Sequence, residues 1–138
     1  MGKVDFQSHS VELAVPAEKA YLFLVDLNNL KELMPDQIIN WQSTEDSCAF
    51  DIKGMAHITL QRTEAVPGKL VRFVSGPETP IGLEITGILD KVSESKSSGI
   101  VKLTADLSPM LQLMASGPLQ NLVNIMAEKL RSVFLSDG

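Results

Sequence analysis

Few residues of this 138-residue sequence could carry out chemistry, and their spacing matches no local catalytic motif. The sequence contains no glycine-rich phosphate-binding loop, no GxSxG nucleophile elbow, no HExxH metal motif and no CxxC pair. One cysteine, Cys48, and two histidines, His9 and His57, are too few to assemble a metal cluster. We therefore expect no metal site, no cofactor and no catalytic residue.

Arg72 and Glu84 are the most interesting pair of opposite charges. The segment LEITG places Leu83 and Ile85 on one face of a strand and Glu84 on the other. If strand twist or a bulge at Gly87 turned Glu84 inward beside Arg72, the pair could anchor a ligand or act as an acid–base couple with perturbed pKa values. The alternative is a cross-strand ion pair on the surface, worth less than about 1 kcal/mol.

The histidines and the cysteine also have ordinary structural interpretations. His57 alternates with Ile58 and Leu60, so it lies on the solvent face of its strand if those two residues point inward, and His9 is interpreted in the same way. Cys48 has no sequence neighbour that would lower the pKa of its thiol. We expect Cys48 to be a small inert apolar residue and not a nucleophile.

Methionines give the strongest indication of binding. Met34, Met55, Met110, Met114 and Met126 lie at predicted helix ends, a hairpin and along a helix. Methionine is flexible and polarizable, so it suits surfaces that accept varied apolar shapes, although it also fills irregular gaps in a core. Because aromatic residues make up only 5% of the chain, large core fillers are scarce, which favours a cavity. We expect at least two of the five methionines to line a ligand site.

The elements that must position these residues begin with strands. Strand-like alternation over 4–15 ends at Pro16, and two short helices follow, with a bend near Asn28 and an end at Pro35. After a linker to Trp41, turn sequences separate five runs rich in β-forming residues, at 48–54, 56–66, 70–76, 83–92 and 99–107. Short strands joined by short turns indicate an antiparallel meander.

The C-terminal segment has the pattern of a long amphipathic helix that covers one face of the sheet. Its apolar stripe consists of Leu119, Leu122, Val123, Met126, Leu130, Val133 and Phe134. The pair Gly117-Pro118 predicts the start of this helix, because proline suits the first helical position. Residues 110–116 would then form a separate, more mobile segment at the cavity entrance.

Composition and charge exclude several classes of protein. A length of 138 residues with 44% hydrophobic and 21% charged residues fits a single soluble domain, 1–138. The net charge is −5 and the basic residues are scattered, so nucleic acid and anionic membranes are not expected partners. No run reaches the roughly 18–20 apolar residues of a membrane span, and the first residues do not resemble a signal peptide. We expect a cytoplasmic protein without membrane insertion.

The sequence also resembles a known family. The segment VPAEKAYLFLVDLNNLKELMPD, followed by a strand meander, is similar to the opening of proteins of the START-related SRPBCC superfamily, which includes polyketide cyclase/dehydrase-like proteins. Pro16, Asp26 and Pro35 match the family's positions, and VPGKLVRF and GILDKV resemble its strands. The resemblance implies an α+β helix-grip fold. In this fold a curved antiparallel sheet of about six to seven strands wraps around a long C-terminal helix, with two short helices after the first strand.

The family resemblance implies a deep, mostly apolar cavity between the sheet and the long helix. Members bind lipids, sterols, plant hormones, polyketides or aromatic compounds; a minority are enzymes, and some activate protein partners. The residues expected to line such a cavity are Phe23, Leu30, Met34, Ile58, Leu60, Arg72, Phe73, Glu84, Ile85, Leu103, Met114, Leu122 and Met126.

Three functions stay open, and the oligomeric state is not predicted. The leading hypothesis is binding of a small apolar ligand, lipid-like, polyketide-like or aromatic, without catalysis. One alternative is a cyclase or dehydratase acting on a hydrophobic substrate, which needs at least two titratable groups inside the cavity. The other is a partner-binding module with an exposed apolar patch.

Overall fold

A computed structural model of the chain describes residues 2–77, Thr79 and residues 81–135. Its strands are β1 (Gly2–Gln7), β2 (Val11–Leu13), β3 (Ile38–Ser43), β4 (Ser47–Ile52), β5 (Ala56–Val66), β6 (Leu70–Ser75), β7 (Gly82–Lys91) and β8 (Ser97–Leu107). Its helices are α1 (Ala17–Val25), a 3₁₀ helix (Leu27–Leu33) and α2 (Pro109–Val133). Within these described ranges no helix is long and apolar enough to cross a membrane.

The strands form one antiparallel sheet in the order β1-β8-β7-β6-β5-β4-β3, and β2 pairs with the other end of β8. From β3 to β8 each strand pairs with its neighbour in sequence, as short turns require. Two of these turns contain glycines with positive φ, Gly54 at 76° and Gly68 at 72°, a conformation that glycine adopts without steric cost. The predicted meander is confirmed.

The core lies between the concave face of the sheet and α2. Phe73, Ile85 and Leu103 point inward from three neighbouring strands and are buried, because alternate residues of a strand share a face. α2 crosses this face against β8, β1, β2 and the 3₁₀ helix. Its predicted apolar stripe is buried from Leu119 to Leu130. The predicted helix-grip fold is confirmed, with eight strands where about six to seven were expected.

The predicted start of the long helix at Pro118 is wrong. α2 begins at Pro109, where Ser108 is the N-cap and accepts a hydrogen bond from the Leu111 amide at 3.4 Å, and it continues through Pro118. A serine followed by proline is itself a helix start, since proline suits the first turn. Residues 110–116 therefore belong to α2 and do not form a separate segment.

Two strand boundaries also differ from the prediction. The run 4–15 is two strands, because at Ser8 the backbone leaves the regular ladder and the buried Ser8 hydroxyl accepts a hydrogen bond from the Val101 amide at 2.9 Å. The predicted linker to Trp41 contains β3. Asn40 in this strand has a φ of 57°, and the pairing with β4 shifts register between Ile39 and Gln42. This irregularity breaks the alternation by which a strand is recognised in sequence.

Candidate functional site

Among the described residues, side chains fill the space between α2 and the sheet and leave no deep cavity there, which corrects the expectation. A void of about 10 Å³ is present there, close to the least volume that holds one water molecule. Leu24 of α1 and Leu30 and Leu33 of the 3₁₀ helix fill the space from above. Gly87 allows this approach, since a Cβ at that position would lie only 3.1 Å from Leu24 Cδ1.

A larger space lies at the side of the helix, and we call it the α2 groove. It has a volume of about 210 Å³ and is partly open to solvent. Three parts of the chain form its walls: the residues around the start of β3, the turn between β4 and β5, and the middle of α2. Its lining consists of Pro35, Gln37, Ile38, Ile52, Lys53, Gly54, Met55, Pro118, Leu119, Leu122 and Ile125.

Backbone hydrogen bonds fix two walls of the α2 groove to each other. The Lys53 amide donates to the Gln37 carbonyl at 2.8 Å and so joins these two walls, while the Met55 amide donates to the Ile52 carbonyl at 2.9 Å within the turn itself. On the opposite side, Lys129 Nζ donates to the Met34 carbonyl at 2.8 Å, which ties α2 to the segment before β3. These contacts position the groove on three anchored segments.

The lining of the α2 groove is mostly apolar. Among the described residues, Lys53 is its only charged side chain, and the Gln37 amide is its other long polar side chain. The other long side chains are aliphatic, with Met55 at the rim and Leu119 and Leu122 at the base. Such a site can bury the apolar part of a ligand and offer one positive charge to the polar end of that ligand.

The structure separates the residues that were expected to line one cavity. Leu122 lies in the α2 groove, whereas Leu30, Phe73, Ile85 and Met126 line only the small void. The other buried members of the predicted set, Met34, Ile58, Leu60 and Leu103, are core residues.

Phe23 and Met114 line neither space. Phe23 packs edge-on against Phe134 near the C-terminal end of α2, with ring centroids 5.6 Å apart. Met114 is 68% exposed on the first half of α2. Their expected place in a cavity is therefore corrected.

Arg72 and Glu84 lie on the outer face of the sheet, which corrects their expected place in the cavity. Inward positions of β6 and β7 are taken by Phe73 and Ile85, so their strand neighbours point outward. Arg72 donates to the Glu64 carboxylate, and Arg72 Nε lies 3.7 Å from Glu84 Oε2. The alternative interpretation as a surface ion pair is confirmed.

The histidines lie in exposed pairs with carboxylates. His57 Nδ1 is 2.6 Å from Asp51 Oδ1, and His9 Nε2 is 2.6 Å from Glu128 Oε2. Hydrogen bonds from Asn40 and then His57 lower the pKa of Asp51, and hydrogen bonds from His9 and Arg131 lower the pKa of Glu128. Both pairs are exposed to solvent, and neither lines the α2 groove.

Cys48 has the environment expected of an inert thiol. It is buried on the inner face of β4, and burial raises the pKa of its thiol to about 12, although a hydrogen bond with the Leu60 backbone acts in the opposite direction. A thiol with this pKa stays protonated at neutral pH, so it is a poor nucleophile.

Sequence reasoning missed most of the α2 groove. The sequence pattern places Lys53 and Gly54 in a run of β-forming residues and predicts a helix start at Pro118. The sequence does indicate two residues of the groove, Met55 as a hairpin methionine and Leu122 as a residue expected to line a cavity. The meeting of a hairpin turn with the middle of a helix is a tertiary contact, and residue periodicity does not contain it.

No protein-family model matches the chain, and no curated protein matches it. Solved structures match over nearly its whole length. A START superfamily protein from Mycobacterium smegmatis has a TM-score of 0.65 at 12% identity, covering 95% of this chain and 98% of that one. An aromatase/cyclase from a Streptomyces species has a TM-score of 0.67 at 14% identity, covering 99% of both chains.

A third similar structure is norcoclaurine synthase from Thalictrum flavum, solved in complex with dopamine and hydroxybenzaldehyde. Its TM-score is 0.72 at 11% identity, and the match covers 99% of this chain and 89% of that chain. At these identities the similarity is one of fold. The predicted resemblance to START-related and polyketide cyclase-like proteins is confirmed at that level.

Proposed function

We propose that this protein binds a small, mostly apolar molecule in the α2 groove and does so without catalysis. The observation that carries the proposal is the groove itself, about 210 Å³ in volume and lined mainly by aliphatic side chains on three anchored segments. An apolar cavity of about 150 Å³ is large enough to bind benzene. The groove therefore suits an aromatic ring or a short alkyl chain, and a larger ligand would have to extend into solvent.

The solved structures of the same fold support this class of ligand. One was solved with dopamine and hydroxybenzaldehyde, which are small aromatic molecules, and another is an aromatase/cyclase. The complex of norcoclaurine synthase with these two compounds supports small aromatic molecules as the class of ligand proposed here. In this chain, aliphatic burial would supply most of the affinity, and one polar contact would set the orientation.

Binding is favoured over acid–base catalysis by the charge content of the groove. A cyclase or dehydratase needs an acid and a base converging on its substrate. Of the residues that the structure describes, Lys53 is the sole titratable side chain in the α2 groove, and the small void has none. The histidine–carboxylate pairs are exposed elsewhere.

A cytoplasmic location is part of the same proposal.

Native mass spectrometry of the protein purified without denaturation from its natural cells tests the proposal. We expect a complex heavier than the chain by a small molecule, and the added mass should disappear in Ile125→Trp, whose indole would fill the groove. The matched control is Leu22→Trp, since Leu22 is 65% exposed on α1 and lies outside the groove. A chain without ligand in the wild type, together with no binding of added 1-octanol, would contradict the proposal.

A second candidate function, binding of a protein partner, is favoured by one observation. Met110, Leu113 and Met114, in the first half of α2, are 72%, 87% and 68% exposed, and we call them the apolar patch. No charged residue occurs between Asp106 and Glu128 in the sequence. Large exposed apolar patches on a protein surface are typical of interaction sites.

Self-association is the form of this second function that can be tested on the chain alone. Sedimentation velocity should show a dimer at high concentration that Leu113→Glu abolishes and that the equally acidic control Leu22→Glu retains. A monomer at every concentration would contradict self-association through the apolar patch.

A further inference from the structure

We infer that the ligand of the α2 groove is an amphipathic monoanion, with its apolar body against α2 and its carboxylate on Lys53 Nζ. The inference rests on the proposed function and adds the chemical class of the ligand's polar end. Its basis is the sign, the number and the position of the charges around the groove.

The sign of the charge is the first step. The chain has a net charge of −5, with 17 acidic and 12 basic residues, yet the charged residue in the groove lining is a lysine. None of the acidic residues that the structure describes lines this groove. An anionic ligand therefore meets an attractive charge at this site on an otherwise acidic protein.

The freedom of the Lys53 ammonium is the second step. Across residues 2–77, Thr79 and 81–135, Lys53 makes neither a salt bridge nor a side-chain hydrogen bond, as is true of every lysine there except Lys96 and Lys129. Its backbone is held by the hydrogen bond from its amide to the Gln37 carbonyl at 2.8 Å. The base of the side chain is thus fixed at the groove wall, and the ammonium at the end of its flexible stem is available to a ligand.

The arrangement of apolar residues around Lys53 is the third step. In the sequence, Lys53 directly follows Ile52 and stands two residues before Met55, and both of these residues line the groove. Leu119 and Leu122 line it from α2. A ligand that buries its apolar part there has a polar end that reaches the rim. A carboxylate at that end would form a charge-assisted hydrogen bond with Lys53.

The number of positive charges selects among anions. One lysine balances one negative charge, which matches a carboxylate. A phosphate monoester carries between about 1.5 and 2 negative charges at neutral pH and is typically held by several donors or by arginine. The described lining offers neither arginine nor a second lysine, so we assign a carboxylate and not a phosphate.

Titration calorimetry with octanoate and 1-octanol tests the inference, because the two probes share a chain length and differ in charge. At pH 7 and low salt we expect octanoate to bind the wild type about fivefold more tightly, as for a charge contact that solvent partly screens. Lys53→Gln should make the two affinities equal. Lys53→Arg should keep a preference for octanoate.

The matched control is Lys69→Gln, which removes the same charge from another exposed turn lysine that does not line the α2 groove. It should retain the fivefold preference. Equal affinities in the wild type, or a preference that survives in Lys53→Gln, would overturn the role of Lys53 and leave apolar binding in place. Binding of neither probe would overturn the inference and the proposed function together.

Discussion

Individual side chains of this protein are used mainly for packing and for local pairing at the surface. The parity of strand residues predicted that His57 faces solvent and that Leu83 and Ile85 face inward, because period-two alternation is a local property. Parity left open whether Glu84 turns inward, and the observed register of β6 with β7 keeps both Arg72 and Glu84 outside. Lys53 could not be assigned from sequence, since its importance comes from α2 passing near its turn.

The Cys48 thiol should be unreactive in the folded protein. Burial raises its pKa to about 12, so almost no thiolate is present at pH 8. We expect a thiol reagent such as iodoacetamide to leave the native chain unlabelled at pH 8 and to label it fully in denaturant. Labelling of the native chain at the rate of an unfolded thiol would contradict this.

Asp51 should make the stability of the fold depend on acid pH. Hydrogen bonds from Asn40 and His57 lower its pKa, so the folded state favours the carboxylate. This stabilisation is fully present above the ordinary aspartate pKa of about 3.9 and is lost as pH falls through the lower folded value. Asp51→Asn should therefore destabilise the protein at pH 6 and lose that effect near pH 2, as measured by urea denaturation. The same difference at both pH values would contradict the expectation.

At the scale of elements, α2 shows where sequence rules compete. Proline normally ends a helix, but Ala115 and Leu119 are buried on either side of Pro118, and this burial keeps the helix continuous. Tertiary packing overrides the local preference, so the boundary could not be read from sequence alone. Because proline has no backbone N–H, Pro118 leaves one helical hydrogen bond unformed in the turn that borders the α2 groove.

Gly117→Ala tests how much Gly117, which precedes Pro118 in α2, lowers the stability of the protein. A Cβ added at Gly117 meets no atom within 4 Å apart from its chain neighbours, but the ring of Pro118 disfavours the helical conformation for a preceding residue that has a Cβ. Because this restriction offsets part of the gain from replacing glycine, we expect the free energy of unfolding to rise by less than about 1 kcal/mol, measured by urea denaturation. The control is Gly87→Ala, which should destabilise because its Cβ would press on Leu24. A loss of stability in Gly117→Ala would contradict the account.

At the scale of the whole molecule, the fold was largely predictable and the site was not. Turn residues, apolar periodicity and the resemblance to START-related proteins together predicted a sheet wrapped around a C-terminal helix. The volume left between sheet and helix depends on how Leu24, Leu30 and Leu33 pack, and a sequence gives no direct measure of it. The interior is nearly full, and the α2 groove lies beside the helix and not beneath it.

The most direct test of ligand binding in the α2 groove is a titration of the ¹⁵N-labelled protein with 1-octanol, followed by two-dimensional NMR. We predict saturable shift changes centred on residues 52–55 and 118–125, absent in Ile125→Trp and retained in Leu22→Trp. Shift changes confined to the apolar patch, or no saturable change in the wild type, would contradict the central claim.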